Sequence, residues 1–183
     1  MFKIIYPKSF AAILLSVTLL SGNALAAGSH SGGHDGPHGK QGEASAVSRT
    51  IEVVMGDNYF EPESFSVEAG ETVRFNVRNE GELVHEFNIG TPEMHADHQE
   101  EMMMMMEHGV LTADRLDMEA AKEMQDSMGH GMHDDPNSVL LEPGDSGEVV
   151  WTFPEDREVT LEFGCNVPGH YASGMVGEFE LTN

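Results

Sequence analysis

An all-β chain is predicted: a β-sandwich of about eight short strands, interrupted by a Met- and His-rich insertion that is helical in part. Three observations predict it. Period-two and β-branched segments recur along the chain, turn signals rich in Gly, Pro, Asn and Asp separate them, and between about residues 91 and 137 the composition turns acidic and methionine-rich.

At the N-terminus, Lys3 and Lys8 precede an apolar run from Phe10 to Leu20 and the small-residue stretch Ala24-Leu25-Ala26, the pattern of a cleaved secretory signal. The run is shorter than the roughly 20 residues that cross a bilayer, and Ser21, Gly22 and Asn23 interrupt it. Residues 1–26 are therefore expected to be removed, leaving a soluble periplasmic product. The only cysteine, Cys165, is far from the cleavage point, so no lipid anchor is expected there. Residues 27–48 are Gly, Ser and His with almost nothing apolar, and are expected to form a tail without fixed structure.

Strands are expected at Thr50 to Met55, Ser64 to Glu68, Thr72 to Arg78 and Val84 to Ile89, with Gly56-Asp57-Asn58 and Ala69-Gly70-Glu71 as turns. After Thr91-Pro92 come helix-favouring residues up to Gly129, then a Gly, His and Asp stretch to Pro136. Strand signals resume at Val139 to Glu142, Glu148 to Phe153, Val159 to Phe163 and Val176 to Leu181. One domain, residues 49–183, accounts for them. About 157 residues follow the signal, enough for one core but cramped for two. The formal charge of −23 repels nucleic acid and anionic lipid and suits cations or a basic partner surface.

Chemistry concentrates in the last loop. Between Phe163 and Val176, Cys165, His170 and Met175 recur at five-residue steps. A thiolate is a strong soft donor, an imidazole suits either oxidation state of copper, and a weak thioether favours the reduced ion. Two His, one Cys and a distant Met make the trigonal site of electron-transfer copper proteins, so one histidine is missing. His85, at the start of a predicted strand, is the candidate. A buried structural thiol is the alternative for Cys165, but an unpaired thiol in an oxidising compartment calls for protection.

The strand pattern, His85 and the Cys-x4-His-x4-Met loop resemble the cupredoxins, and most nearly the periplasmic CopI-type cupredoxins of bacterial copper-tolerance systems, which have similar His-rich N-termini and Met/His-rich insertions. The resemblance covers roughly Arg49 to Asn183 apart from the insertion. It implies a Greek-key sandwich with one type 1 copper held by His85, Cys165, His170 and Met175. Many electron-carrier cupredoxins have Asn directly after the first histidine, tying the two ligand loops together. This sequence has Glu86 instead.

A second copper signal lies in the insertion. Met94, His95, His98, Met102, Met106, His108, Met128, His130, Met132 and His133 are candidate auxiliary ligands, with Met94, His98, Met102 and Met106 four apart on one helix face. Core packing is the alternative for such a stripe. His30, His34 and His38 form either a solvated tail or a weak site for copper(II) or zinc. Three functions remain open at this point: a periplasmic copper-tolerance protein, a diffusible electron carrier, and a copper(I) oxidase. A periplasmic redox protein or a copper-efflux component is the expected partner.

Overall fold

Every predicted strand segment forms a strand, and two more join them. In chain order they are β1 (Lys40–Gln41), β2 (Arg49–Gly56), β3 (Tyr59–Glu61), β4 (Ser64–Glu68), β5 (Thr72–Asn79), β6 (His85–Gly90), β7 (Ser138–Leu141), β8 (Ser146–Thr152), β9 (Leu161–Gly164) and β10 (Val176–Thr182). The computed structural model describes residues 36–128 and 135–183. The signal-like residues 1–26, His30 and His34 of the tail, and His130, Met132 and His133 of the insertion lie outside the described residues. Among the described residues no helix is long and apolar enough to cross a membrane.

The strands make two five-stranded sheets, ordered β1-β8-β5-β2-β3 and β4-β10-β9-β6-β7. Each sheet is mixed: β2 runs parallel to β5, and β4 to β10, while their other neighbours are antiparallel. Alternation decides which side chains enter the core. On β5, Val73, Phe75 and Val77 are buried, and on β4, Phe65 and Val67 are buried between exposed Ser64, Ser66 and Glu68. Between the sheets Phe60, Phe65, Phe75, Phe87, Phe153, Phe163 and Phe179 form one aromatic cluster, with neighbouring ring centroids from 4.6 Å (Phe65–Phe163) to 6.2 Å (Phe75–Phe153). Each buried ring contributes about 1.5–3 kcal/mol of transfer free energy, so this cluster dominates the core.

The insertion folds into α1 (Pro92–Glu107) and α2 (Met118–Met128). Pro92 starts α1, the Thr91 hydroxyl accepts from the Met94 amide at 3.3 Å, and Gly109, at φ 74°, follows its last turn. Helix α2 is started by Asp117, whose Oδ1 accepts from the Glu119 and Ala120 amides at 3.0 Å each. Neither helix is an appendage. Met102, Met105, Val110, Leu111, Ala121 and Met124 are all buried in the core. The chain between the helices also bonds to the sandwich: the Val84 amide donates to Ala113 O at 2.7 Å, and the Leu116 amide to Glu142 Oε1 at 2.7 Å.

The inward stripe of α1 differs in phase from the predicted face. His95, Met102 and Met105 are buried and His98 is partly so, whereas Met94 is half-buried and Met106 is exposed. Periodicity alone leaves the rotation of a Met-rich helix open, because methionine fits core and surface alike. The rotation follows from polar partners beneath the helix, since α1 packs on β6 and β9. That cover also explains why all six residues of β6 are buried.

Part of the stretch predicted to lack structure is paired. Lys40 and Gln41 add an edge strand opposite Thr152 and Trp151 of β8. The Trp151 indole donates to His38 O at 2.9 Å, and the His38 ring stacks on it at 5.3 Å. Gly39 permits this approach, because a Cβ there would lie 2.3 Å from Thr152 O. Composition does not disclose such an edge, whose partners lie more than a hundred residues away.

Candidate metal centre

Strand pairing brings the candidate ligands together. Val176 of β10 stands opposite Gly164 of β9, and one rung beyond, the Cys165 amide donates to Met175 O at 3.1 Å. The loop 165–175 is thereby closed at its base with Cys165 and Met175 facing each other. Within it, the Met175 amide donates to His170 O at 3.1 Å, and Gly174, at φ 99°, supplies the left-handed turn before Met175. Strand β6 pairs with β9 (Asn88 opposite Gly164), which brings His85, its first residue, beside Cys165.

His85, Cys165 and His170 offer ligand atoms that all lie within 4.8 Å of one another, the one such group of three among the described residues. Cys165 Sγ is 3.3 Å from His170 Nδ1 and 3.9 Å from His85 Nδ1. A metal bonded to sulfur at about 2.3 Å and to nitrogen at about 2.0 Å in a trigonal plane would hold S and N about 3.7 Å apart. The three donors therefore fit one such ion. Cys165, His85 and Met175 are fully buried, and His170 is partly exposed.

Several residues hold the first histidine in place. His85 Nε2 lies 3.0 Å from Asp57 Oδ1, which also accepts from the Glu82 and Leu83 amides at 2.9 and 3.2 Å. The His85 hydrogen bond holds the Asp57 carboxyl below its ordinary range. A carboxylate on the far nitrogen orients a metal-ligating imidazole and leaves Nδ1 for the ion. Gly81 is required here, since a Cβ would lie 2.3 Å from Asp57 Oδ1 and 2.9 Å from His85 Nε2. Asn79 braces the same turn: its side-chain Nδ2 donates to Leu83 O (2.8 Å) and Leu141 O (3.0 Å), and its Oδ1 accepts from the Gly81 amide (2.9 Å). Asp57 and Asn79 support the candidate site, and sequence reasoning did not single them out; Asp57 reads only as part of a turn in the sequence.

Glu86 ties the two ligand loops together. Its amide donates to Cys165 Sγ at 3.3 Å, and its Oε2 accepts from the Asn166 amide (3.2 Å) and from Asn166 Nδ2 (2.9 Å). Its Oε1 meets His98 Nε2 at 2.9 Å and Asn88 Nδ2 at 3.3 Å. Burial alone would raise the Glu86 carboxyl, but the hydrogen bond and charge of His98, together with the hydrogen bonds from Asn166 and Asn88, outweigh it, and Glu86 stays below its ordinary range. On His98 burial acts downward, yet Glu86 and Glu101 raise it to about 9. The site thus contains an ion pair between buried Glu86 and partly buried His98 at hydrogen-bond distance.

Of the auxiliary candidates, several are engaged elsewhere. Both ring nitrogens of His98 are taken, by Glu86 and by Glu101 (3.0 Å). His95 is buried, with Nδ1 receiving Asn166 Nδ2 at 3.1 Å, and burial lowers it so that the ring is neutral. Met102 is in the core. Met106, Met128 and His108 are exposed, as are Met103, Met104 and Met118. His38, Met94 and His98 share one cleft of about 240 Å³ with Asn88, Asp135 and Asn137.

Burial pushes the Cys165 thiol up to about 12, and lowers His170, with His85 adding to the effect. At about pH 7 the metal-free protein therefore carries a protonated thiol and a neutral His170. Loading with copper(II) should release about one proton per ion, from Cys165, since only the thiolate ligates. Metal titration in weak buffer with a pH indicator measures this, and a release near zero would remove Cys165 from the ligand set.

Comparison with known proteins agrees with this fold. The description "Cupredoxin-like domain" matches residues 12–105, about half of the chain, ending before the second ligand loop. A Pseudomonas aeruginosa protein described as "Copper-resistant cuproprotein CopI" is 49% identical over 158 residues, 81% of this chain and 84% of that one. A Rubrivivax gelatinosus protein of the same description is 37% identical over 153 residues, covering 83% and 78%. The chain belongs to the cupredoxin-like family. Auracyanin B shares the fold, with a TM-score of 0.53 at 23% identity over 80% of this chain and 97% of that one. A reduced auracyanin from Roseiflexus castenholzii does so with a TM-score of 0.51 at 24% identity, covering 75% and 99%.

Proposed function

We propose that this protein is an exported, periplasmic copper-tolerance cupredoxin, which binds copper at a type 1 centre and holds further copper on exposed thioethers. The observation that carries the reading is the convergence of His85 Nδ1, His170 Nδ1 and Cys165 Sγ at spacings one ion can span. Met175, buried directly opposite Cys165, would supply a weak thioether donor. Bound there, copper would supply one-electron chemistry. The protein's part is to keep water from three of the ligands and to orient His85 through Asp57. Two relatives described as copper-resistant cuproproteins support the biological role, and the Lys3-to-Ala26 pattern supports export.

Further ions are assigned to Met103, Met104, Met106, Met118 and Met128, whose sulfur atoms are not used by the core, and to the His-rich segments. Because Met102, Met105 and Met124 pack in the core, deleting the insertion would damage the fold; substituting the exposed thioethers isolates their role. Copper titration of the signal-free chain should give more than one ion per protein. Serine at those five positions should lower the copper(I) count while leaving the thiolate-to-copper absorption of the centre intact. A single ion in the parent, unchanged in the variant, counts against storage. A strain lacking the protein should grow poorly only under copper stress, and normal growth there counts against tolerance.

One observation favours the electron-carrier reading: His170 is partly exposed while its partner ligands are buried, so it offers a short path to a docked protein. Fast, salt-sensitive exchange with a basic redox partner would support that role.

A further inference from the structure

We infer that α1 acts as a clamp on the metal centre: His98 and His95 fix Glu86 and Asn166, the residues that directly follow the ligands His85 and Cys165. The chain of contacts is continuous. His98 Nε2 holds Glu86 Oε1 at 2.9 Å, Glu86 Oε2 holds both the backbone and side-chain nitrogens of Asn166 at 3.2 and 2.9 Å, and Asn166 Nδ2 reaches His95 Nδ1 at 3.1 Å. Glu86, Asn166 and His95 are each at most 2% exposed. Glu86 closes the circuit on the thiol itself, its amide donating to Cys165 Sγ at 3.3 Å.

A hydrogen bond to a ligand sulfur and the orientation of its loop both tune a metal site. A carboxylate has more acceptor positions than the amide oxygen of an asparagine, so Glu86 can bind the other ligand loop and a helix at once. That helix comes from the insertion, which makes the insertion part of the centre's construction as well as a carrier of thioethers. His98 is a positioning residue in this scheme, acting through Glu86.

The experiment uses the full chain, first metal-free and then loaded with copper(II); only the loaded arm rests on the copper reading above. Metal-free, His98→Gln and the near-isosteric Glu86→Gln should raise amide exchange at Glu86 and Asn166 on the order of tenfold or more. Glu107→Gln, which removes an exposed charge of the same helix outside this network, should leave both amides unchanged. Loaded, the first two variants should shift the visible bands and the reduction potential, and Glu107→Gln should not. Unchanged exchange in both network variants overturns the clamp, as does faster exchange with unaltered bands and potential. A parent chain without a thiolate-to-copper band refutes the copper reading instead, and the exchange arm still decides the clamp.

Discussion

Replacing Cys165 with serine is expected to abolish the intense visible absorption of the copper-loaded protein and to weaken binding at the centre by at least about hundredfold, more than loss of an outer hydrogen-bond partner costs. A serine hydroxyl does not ionise near neutral pH and is a hard donor, so the two imidazoles and the Met175 thioether are left without their strong anionic partner. The fold should survive. Cys165 is fully buried and its sulfur accepts from the Glu86 amide, and a serine oxygen can accept the same hydrogen bond, so the metal-free variant should lose no more than about 1–2 kcal/mol. Visible absorption and thermal unfolding of both forms provide the check. A band retained in the variant would contradict the ligand assignment.

Glu86→Ala should be the most damaging change outside the core. It removes the carboxylate that does most to hold the His98 charge against burial, leaving only the exposed Glu101, and strips Asn166 of the acceptor for its amide and its side chain. Hydrogen bonds to a charged group contribute about 1.5–3 kcal/mol each, so losing those of Glu86 should cost at least about 2 kcal/mol. The double change Glu86→Leu with His98→Leu should cost less than Glu86→Ala alone, because apolar side chains replace both members of the pair and no imidazole nitrogen is left without its carboxylate. Denaturant unfolding of the metal-free proteins measures both, and a Glu86→Ala cost below about 1 kcal/mol would mean the pair is not formed.

The same pair sets a pH dependence whose sign is fixed. His98 is raised from 6.5 to about 9, so its contribution is fully present below 6.5 and is lost as pH rises through about 9. Its ceiling is about 3 kcal/mol. Glu86 is lowered, so its contribution is present above the ordinary carboxylate range and is lost as pH falls through its folded value. Stability of the metal-free parent should therefore fall from about pH 6.5 towards pH 9, and this slope should flatten in Glu86→Ala.

Features governed by neighbours along the chain were readable without the fold. All eight predicted strands form, with ends shifted by one or two residues, because alternation on β4 and β5 is a local signal. The candidate ligand loop is equally local: Cys165, His170 and Met175 recur at fixed steps within one loop between two strands. The far histidine, His85, is a candidate in the sequence from its place at the start of a predicted strand and from the need for a second imidazole, and the structure brings it beside Cys165. The short strands β1 and β3 were not readable, since two or three residues carry no period and their pairing depends on edges supplied by β8 and β2.

The surroundings of the ligands belong to the second kind. Glu86 stood out only as an unusual neighbour of His85, and nothing near it in the chain announced that it would be buried against Asn166, 80 residues on, and His98, 12 residues on. His95 and His98 carry the residue type of free copper ligands, yet the packing of α1 on β6 and β9 commits them to a polar network. A buried carboxylate must find partners wherever the chain brings them, and those partners rotate the helix. Donor identity and spacing are written locally, because a metal reads a few atoms in one loop. Which donors stay free is a tertiary matter, because burial and charge pairing act across the whole sandwich.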